Sequence, residues 1–74
     1  MDVILHTPQD IASLVKKRRK ELGYTQSQVA AFCGVGNRFF SELENGKETL
    51  QLGKVMKVIN ILGLDLTVKE RGSL

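Results

Sequence analysis

The side chains best suited to recognise another molecule lie close together near the middle of the chain, at Asn37, Arg38, Ser41 and Glu42. Their spacing places all four on one side of a helix. An Arg fork can donate two hydrogen bonds to guanine, an Asn amide can pair with adenine in the same bidentate way, and a Ser hydroxyl can serve either base. The chemistry that this side indicates is hydrogen bonding to base edges.

Two residues of the same segment have two interpretations each. Glu42 can accept a hydrogen bond from the amino group of cytosine, but phosphates near a base repel a carboxylate. Phe39 can pack beside a turn, or it can touch the methyl group of thymine. The residue types alone leave both choices open.

No residues in the sequence have the spacing of an active site or a metal site. The chain lacks a glycine-rich phosphate loop and a Ser/His/Asp set, and one cysteine with one histidine cannot make a structural zinc site. We expect His6 to lie at the surface near a helix start and Cys33 to serve in packing. The sequence therefore predicts a protein that is not an enzyme and needs no metal or cofactor.

Length and composition limit the fold and its partners. The chain has 74 residues, a formal net charge of +3 and 42% hydrophobic residues. A domain this short buries only about 60% of the surface of its unfolded chain, so a second copy would supply useful core area. The N-terminal residues lack the pattern of a targeting signal, and the apolar stretches are too short to span a membrane. We expect one folded, cytoplasmic domain. The net positive charge is compatible with a polyanionic partner, but many small basic proteins bind nothing acidic.

Helix-terminating residues define a first helix over residues 8–22. Thr7 is a suitable N-cap, Pro8 occupies the first helical position, and Gly23 ends the segment. The run KKRRK at 16–20 is either a solvated helix face or a phosphate-facing one. A third use, at a membrane surface, is disfavoured because the helix has no aromatic anchors.

Two short helices follow, over 26–33 and 37–45. Thr25 and Gln28 form a capping box for the earlier one, and Asn45-Gly46 ends the later one. Apolar residues recur at helical spacing, and those expected to face the interior are Val29, Ala30, Cys33, Phe40 and Leu43.

The last third of the chain predicts a fourth helix over 52–62 and then a strand over 64–69. The apolar residues that recur at helical spacing in the helix, and are expected to face inward, are Leu52, Val55, Met56, Ile59 and Leu62. In the strand, apolar residues alternate with polar ones, and the apolar set is Leu64, Leu66 and Val68. A single strand cannot satisfy its own hydrogen bonds, and the only other strand-like run is at 3–6. We expect the tails of two protomers to pair across a two-fold axis, and whether 3–6 joins that sheet stays open.

Two short helices joined by a turn that contains glycine are typical of a helix-turn-helix. Residues 25–47, TQSQVAAFCGVGNRFFSELENGK, resemble this motif in the Xre and lambdoid phage repressor family, from the TQ opening to the LENGK ending. The surrounding chain is similar to the HipB-type antitoxins, in which a dimerising strand replaces the repressors' fifth helix. The resemblance implies a mainly α, compact four-helix domain whose C-terminal β-strand pairs across a homodimer.

The resemblance also assigns roles to individual residues. It places helix 3 in the major groove of double-stranded DNA, with base contacts from Asn37, Arg38, Ser41 and Glu42. It implies phosphate contacts from Gln26 and Asn45. We expect Thr25 and Lys47, which lie next to these positions in the chain, to contact phosphates as well. It implies a buried ion pair between Arg19 and Glu44, for which Arg18 is a competing cation. The chain departs from the family at Gly36, where a Ser or Thr usually caps helix 3 and offers a hydroxyl to a phosphate.

The function implied is that of a sequence-specific dimeric repressor that reads a palindromic operator. The likeness to HipB adds an antitoxin role, in which the protein binds a HipA-like kinase toxin and represses its own operon. Two alternatives stay open: a stand-alone Xre-type regulator without a toxin partner, and a module that acts mainly by binding a kinase-like protein.

Overall fold

A computed structural model describes residues 3–72, which form four α-helices and no strand. The helices are α1 (Pro8–Glu21), α2 (Gln26–Cys33), α3 (Asn37–Glu44) and α4 (Leu52–Ile61). Every boundary lies within one residue of the one that the sequence predicts. The mainly α, four-helix architecture is confirmed. None of the helices in the described residues has the length and hydrophobicity that a bilayer span requires.

Side chains cap the free backbone N–H groups at the start of the first two helices. The Thr7 hydroxyl accepts from the Asp10 N–H at 3.1 Å, and the Asp10 carboxylate accepts from the Thr7 N–H at 3.0 Å. Thr25 and Gln28 exchange the equivalent pair of bonds at the start of α2, at 3.1 and 2.9 Å. Each capping box therefore sets where its helix begins, and α2 begins at Gln26 because Thr25 is its cap.

One apolar core holds the four helices together. α3 packs against α1 and α2, and α2 packs against α4. The largest fully buried side chains are Phe40, Ile59, Val15, Val29, Val58 and Cys33. Burial raises the pKa of the Cys33 thiol, as expected for a residue that serves in packing. Burying a side chain the size of Phe40 contributes about 1.5–3 kcal/mol, so α3 is firmly anchored by its inner side.

The inward stripe of α4 differs from the predicted one. Leu52 and Met56 are exposed, whereas Val58, which the periodicity did not single out, is fully buried. The buried stripe runs through Val55, Val58, Ile59 and Leu62. Leu52 and Met56 lie on the flank of this stripe, because the packing against α2 and not the hydrophobic period alone fixes the rotation of α4.

The tail after Gly63 has no regular secondary structure through residue 70, so the predicted strand over 64–69 is absent from the described part of a single chain. Leu64 is half-buried against the core, whereas Leu66 is exposed and Val68 is fully exposed. A strand needs a partner for its backbone hydrogen bonds, and the described residues of one chain supply none.

Candidate nucleic-acid interface

The outer side of α3 is available for contact. Phe40 and Leu43 face the core, while Asn37 and Arg38 are exposed and the Arg38 side chain keeps 90% of its accessible surface. Ser41, one turn further along, is half-buried. The structure therefore brings the polar residues of α3 together on the side opposite its anchor, and Arg38 is the most accessible of them.

The start of α2 offers a second polar group of atoms. The Thr25 hydroxyl accepts from the Gln28 N–H, so its own proton remains available for donation. The first N–H groups of a helix have no partner inside the helix, and α2 has no acidic residue in its first turn. These atoms suit an anion such as a phosphate.

Gln26 is tied to a neighbouring helix in a way that sequence reasoning missed. Its Nε2 donates to Glu44 Oε1 at 2.9 Å, and its side chain is half-buried. One amide hydrogen is thus committed inside the protein, while the second remains free for the phosphate contact that the sequence suggested. Gln26 therefore links the start of α2 to the end of α3.

Arg19 and Glu44 form a buried, two-pronged ion pair. Arg19 Nε lies 2.7 Å from Glu44 Oε2, and Nη2 lies 3.0 Å from Oε1. The third donor, Nη1, reaches the Tyr24 carbonyl at 2.8 Å. Only 10% of the Arg19 side chain and 2% of the Glu44 side chain are exposed. Arg18 does not compete, because its Nε donates to the Leu62 carbonyl at the end of α4.

The protonation of Glu44 is set by two opposing effects. Burial by itself raises the pKa of Glu44, but the hydrogen bonds donated by Arg19 and Gln26 outweigh it, so the pKa lies below the ordinary value of 4.5. Glu44 is therefore ionised at neutral pH, which keeps the pair between α1 and α3 charged on both sides.

Acid is expected to destabilise the fold through this carboxylate. Because the pKa of Glu44 is depressed in the folded chain, its contribution is fully present above an ordinary pKa of 4.5 and is lost as the pH falls through the folded-state pKa. Urea unfolding between pH 3 and 7 measures the effect. The Glu44→Gln variant should lose stability less steeply in acid than the wild type, and equal acid slopes would contradict this assignment.

Glu42 forms an ion pair with Lys47, which the sequence assigned to a phosphate contact. Lys47 Nζ lies 2.7 Å from Glu42 Oε2, and Arg38 Nε lies 3.9 Å from Oε1. The hydrogen bond from Lys47 holds the pKa of Glu42 below its usual range. Glu42 is thus a charged acceptor between two cations. Sequence reasoning gave no signal for the Lys47 contact, because Lys47 follows α3 in a loop, whereas Arg38 and Glu42 have the spacing of a helical ion pair.

Two further residues complete the surroundings of α3. Lys54, in the first turn of α4, places its ammonium 5.6 Å from the centre of the Phe39 ring. Phe39 is half-buried and packs against the core. Asn45 follows α3 as its exposed C-cap. Lys54 was not among the candidates, since only the packing of α4 brings it beside α3.

Comparison with known proteins gives a family and two kinds of relative. A family model described as helix-turn-helix matches residues 15–69. The uncharacterized HTH-type transcriptional regulator y4mF of Sinorhizobium fredii is 43% identical over 68 residues, which cover 92% of this chain and 90% of that protein. Antitoxin HipB of Escherichia coli K12 is 28% identical over 64 residues, covering 86% of this chain and 73% of HipB.

Solved structures give the same picture of the fold. The structure titled "HipB-O4 20mer complex" aligns with a TM-score of 0.84 at 26% identity, covering 93% of this chain and 97% of that one. The structure titled "Structure of HipA-HipB-O2-O3 complex" aligns with a TM-score of 0.85 at 26% identity and the same coverage. The four helices therefore have the arrangement found in HipB.

Proposed function

The chain belongs to the helix-turn-helix family of DNA-binding transcription regulators, and from that premise we propose that it is a sequence-specific repressor that binds a palindromic operator as a homodimer. The observation that carries the proposal is the outer side of α3, where Asn37 and Arg38 are exposed and Ser41 is half-buried, opposite the side that packs into the core. A helix with this surface fits the major groove.

Each base contact follows from the chemistry of one side chain. The terminal nitrogens of Arg38 match guanine O6 and N7, the Asn37 amide matches adenine N6 and N7, and the Ser41 hydroxyl can donate or accept. Two copies of α3 related by a dimer axis read half-sites about 34 Å apart, which is one turn of DNA.

Backbone contacts hold α3 in register on the duplex. The proposed donors to phosphate are the Thr25 hydroxyl, the second amide hydrogen of Gln26 and the Asn45 amide. Their exposure or free hydrogens support the assignment. Lys47, which the sequence also assigned to a phosphate, is paired with Glu42 instead. The net charge of +3 adds a general attraction to DNA that salt weakens.

The test is a selection of duplexes from a random-sequence pool, followed by titration of the selected and a scrambled duplex. The proposed function requires a two-fold symmetric consensus and an affinity that falls linearly with log salt concentration. Equal affinity for both duplexes would contradict sequence-specific binding.

Dimerisation through the C-terminal tail is part of the proposal. Leu66 and Val68 are exposed on a segment whose alternation suits a strand, and Ile61 at the end of α4 is exposed beside it in the chain. A second tail would supply the missing hydrogen bonds and cover these apolar side chains.

Substitution at Leu66 is expected to separate the protomers. Leu66→Asp places a charge in the proposed sheet face, while Thr67→Asp places the same charge on the alternate face. Sedimentation equilibrium at micromolar concentration should give twice the chain mass for the wild type and Thr67→Asp, and the single chain mass for Leu66→Asp. A monomeric wild type would contradict the dimer.

We also propose that the protein acts as the antitoxin of a HipA-like kinase toxin and represses the operon that encodes both. The support is the similarity to HipB and the alignment with the HipA-HipB-O2-O3 complex. The competing function is that of a stand-alone regulator with no toxin partner. Co-purification with the kinase-like product of a neighbouring gene would support the antitoxin role, and the absence of such a gene would favour the stand-alone regulator.

A further inference from the structure

We propose that Glu42 determines specificity by holding two cations away from phosphates, not by reading a base. The inference rests on the proposed DNA-binding function and concerns the same side of α3. A base contact would not explain why the Glu42 carboxylate is paired with both Lys47 and Arg38.

The geometry ties Lys47 to Glu42 at two points. Its ammonium lies 2.7 Å from Glu42 Oε2, and its backbone N–H donates to the Glu42 carbonyl at 3.1 Å. The Glu42 side chain keeps only 28% of its accessible surface, so the carboxylate is partly screened from water. The loop after α3 therefore turns back, so that Lys47 contacts α3 and does not extend outward toward a ligand.

The contact between Glu42 and Arg38 involves one nitrogen of the guanidinium, Nε. Glu42 Oε1 faces Arg38 Nε at 3.9 Å, which leaves both terminal nitrogens of Arg38 free for the two acceptors of guanine. Reading guanine is therefore compatible with the pair. On a non-matching duplex no guanine lies opposite Arg38, so the side chain must swing from the groove to the strand backbone to pair with a phosphate, and this movement breaks its contact with Glu42. Lys47 must likewise leave Glu42 to reach a phosphate.

This difference makes Glu42 a discriminator. On random DNA, affinity depends mainly on cations that neutralise phosphates. A cation that is paired with Glu42 is not available to neutralise a phosphate. On the operator, Arg38 is satisfied by guanine while Glu42 stays paired. Glu42 thus weakens non-specific binding more than specific binding. Arg19 and Glu44 do not alter this balance, because they are buried and paired with each other.

The test is the Glu42→Gln variant, titrated against the selected operator and a scrambled duplex over a salt series. Affinity for the scrambled duplex should rise about twofold to fivefold per protomer, the range of exposed ion pairs, while operator affinity changes less. The salt slope on the scrambled duplex should steepen by about 0.9 for each cation released. The ratio of operator affinity to scrambled-duplex affinity should therefore fall.

Glu48→Gln is the matched control, since it removes the same charge from an exposed residue next to Lys47. It should change affinity for both duplexes by the same factor. Indistinguishable behaviour of the two variants would overturn the inference, because net charge alone would then explain it. A loss confined to the operator in Glu42→Gln would also overturn it, by showing that Glu42 reads a base. A wild type without preference for the operator would instead overturn the proposed function.

Discussion

Replacing Arg19 with alanine is expected to lower the free energy of unfolding by about 3–5 kcal/mol, because the change leaves the Glu44 carboxylate buried without its cation. Only 2% of the Glu44 side chain is exposed, so the carboxylate has little contact with water to replace its interaction with Arg19. The same change removes the hydrogen bond to the Tyr24 carbonyl. Small domains have a free energy of unfolding of only about 5 kcal/mol or somewhat more, so much of the variant should be unfolded at room temperature.

Urea unfolding followed by circular dichroism measures this loss. Lys20→Ala, on the exposed part of the same helix, is the control and should unfold like the wild type. The double variant Arg19→Met/Glu44→Leu should recover most of the stability, because no charge is then buried alone. A loss below about 1 kcal/mol in Arg19→Ala would show that the pair behaves like an exposed one.

Replacing Arg38 with alanine is expected to weaken operator binding by about 1–3 kcal/mol and to abolish the preference at one base pair of each half-site. The reason is the loss of a bidentate contact to guanine, which other residues of α3 cannot replace. The stability of the fold should not change, since 90% of the Arg38 side chain is exposed.

Titration of operators in which each base pair is replaced in turn identifies the affected position. Asn45→Ala is the matched control and should weaken all duplexes alike, because Asn45 is assigned to a phosphate. Gln26→Ala suits this purpose less well, since the Gln26 amide also supports Glu44 inside the protein. Equal losses on operator and scrambled DNA for Arg38→Ala would contradict the assignment of α3.

Local signals in the sequence were sufficient to predict where the helices begin and end. The capping residues Thr7 and Thr25 and the glycines after α1 and α2 act within a few residues, so their effect is readable without a fold. The resemblance to the repressors suggested the pairing of Arg19 with Glu44, and the structure has these side chains 2.7 Å apart.

Contacts between distant segments could not be predicted in this way. The bond from Gln26 to Glu44 joins residues 18 positions apart, and the approach of Lys54 to Phe39 depends on how α4 packs. The rotation of α4 that buries Val58 is likewise a result of packing. The strand over 64–69 depends on a second chain, so neither the sequence period nor a single chain determines it.

The most direct test of the account is to map the DNA-binding surface by NMR. Titration of the ¹⁵N-labelled protein with the selected operator duplex should shift amide signals most strongly along the outer side of α3 and at the start of α2, with the strongest effects at Gln26, Arg38, Ser41 and Asn45. Shifts concentrated instead on Lys16, Lys17 and Lys20 of α1, with α3 unaffected, would contradict the claim that the outer side of α3 enters the groove.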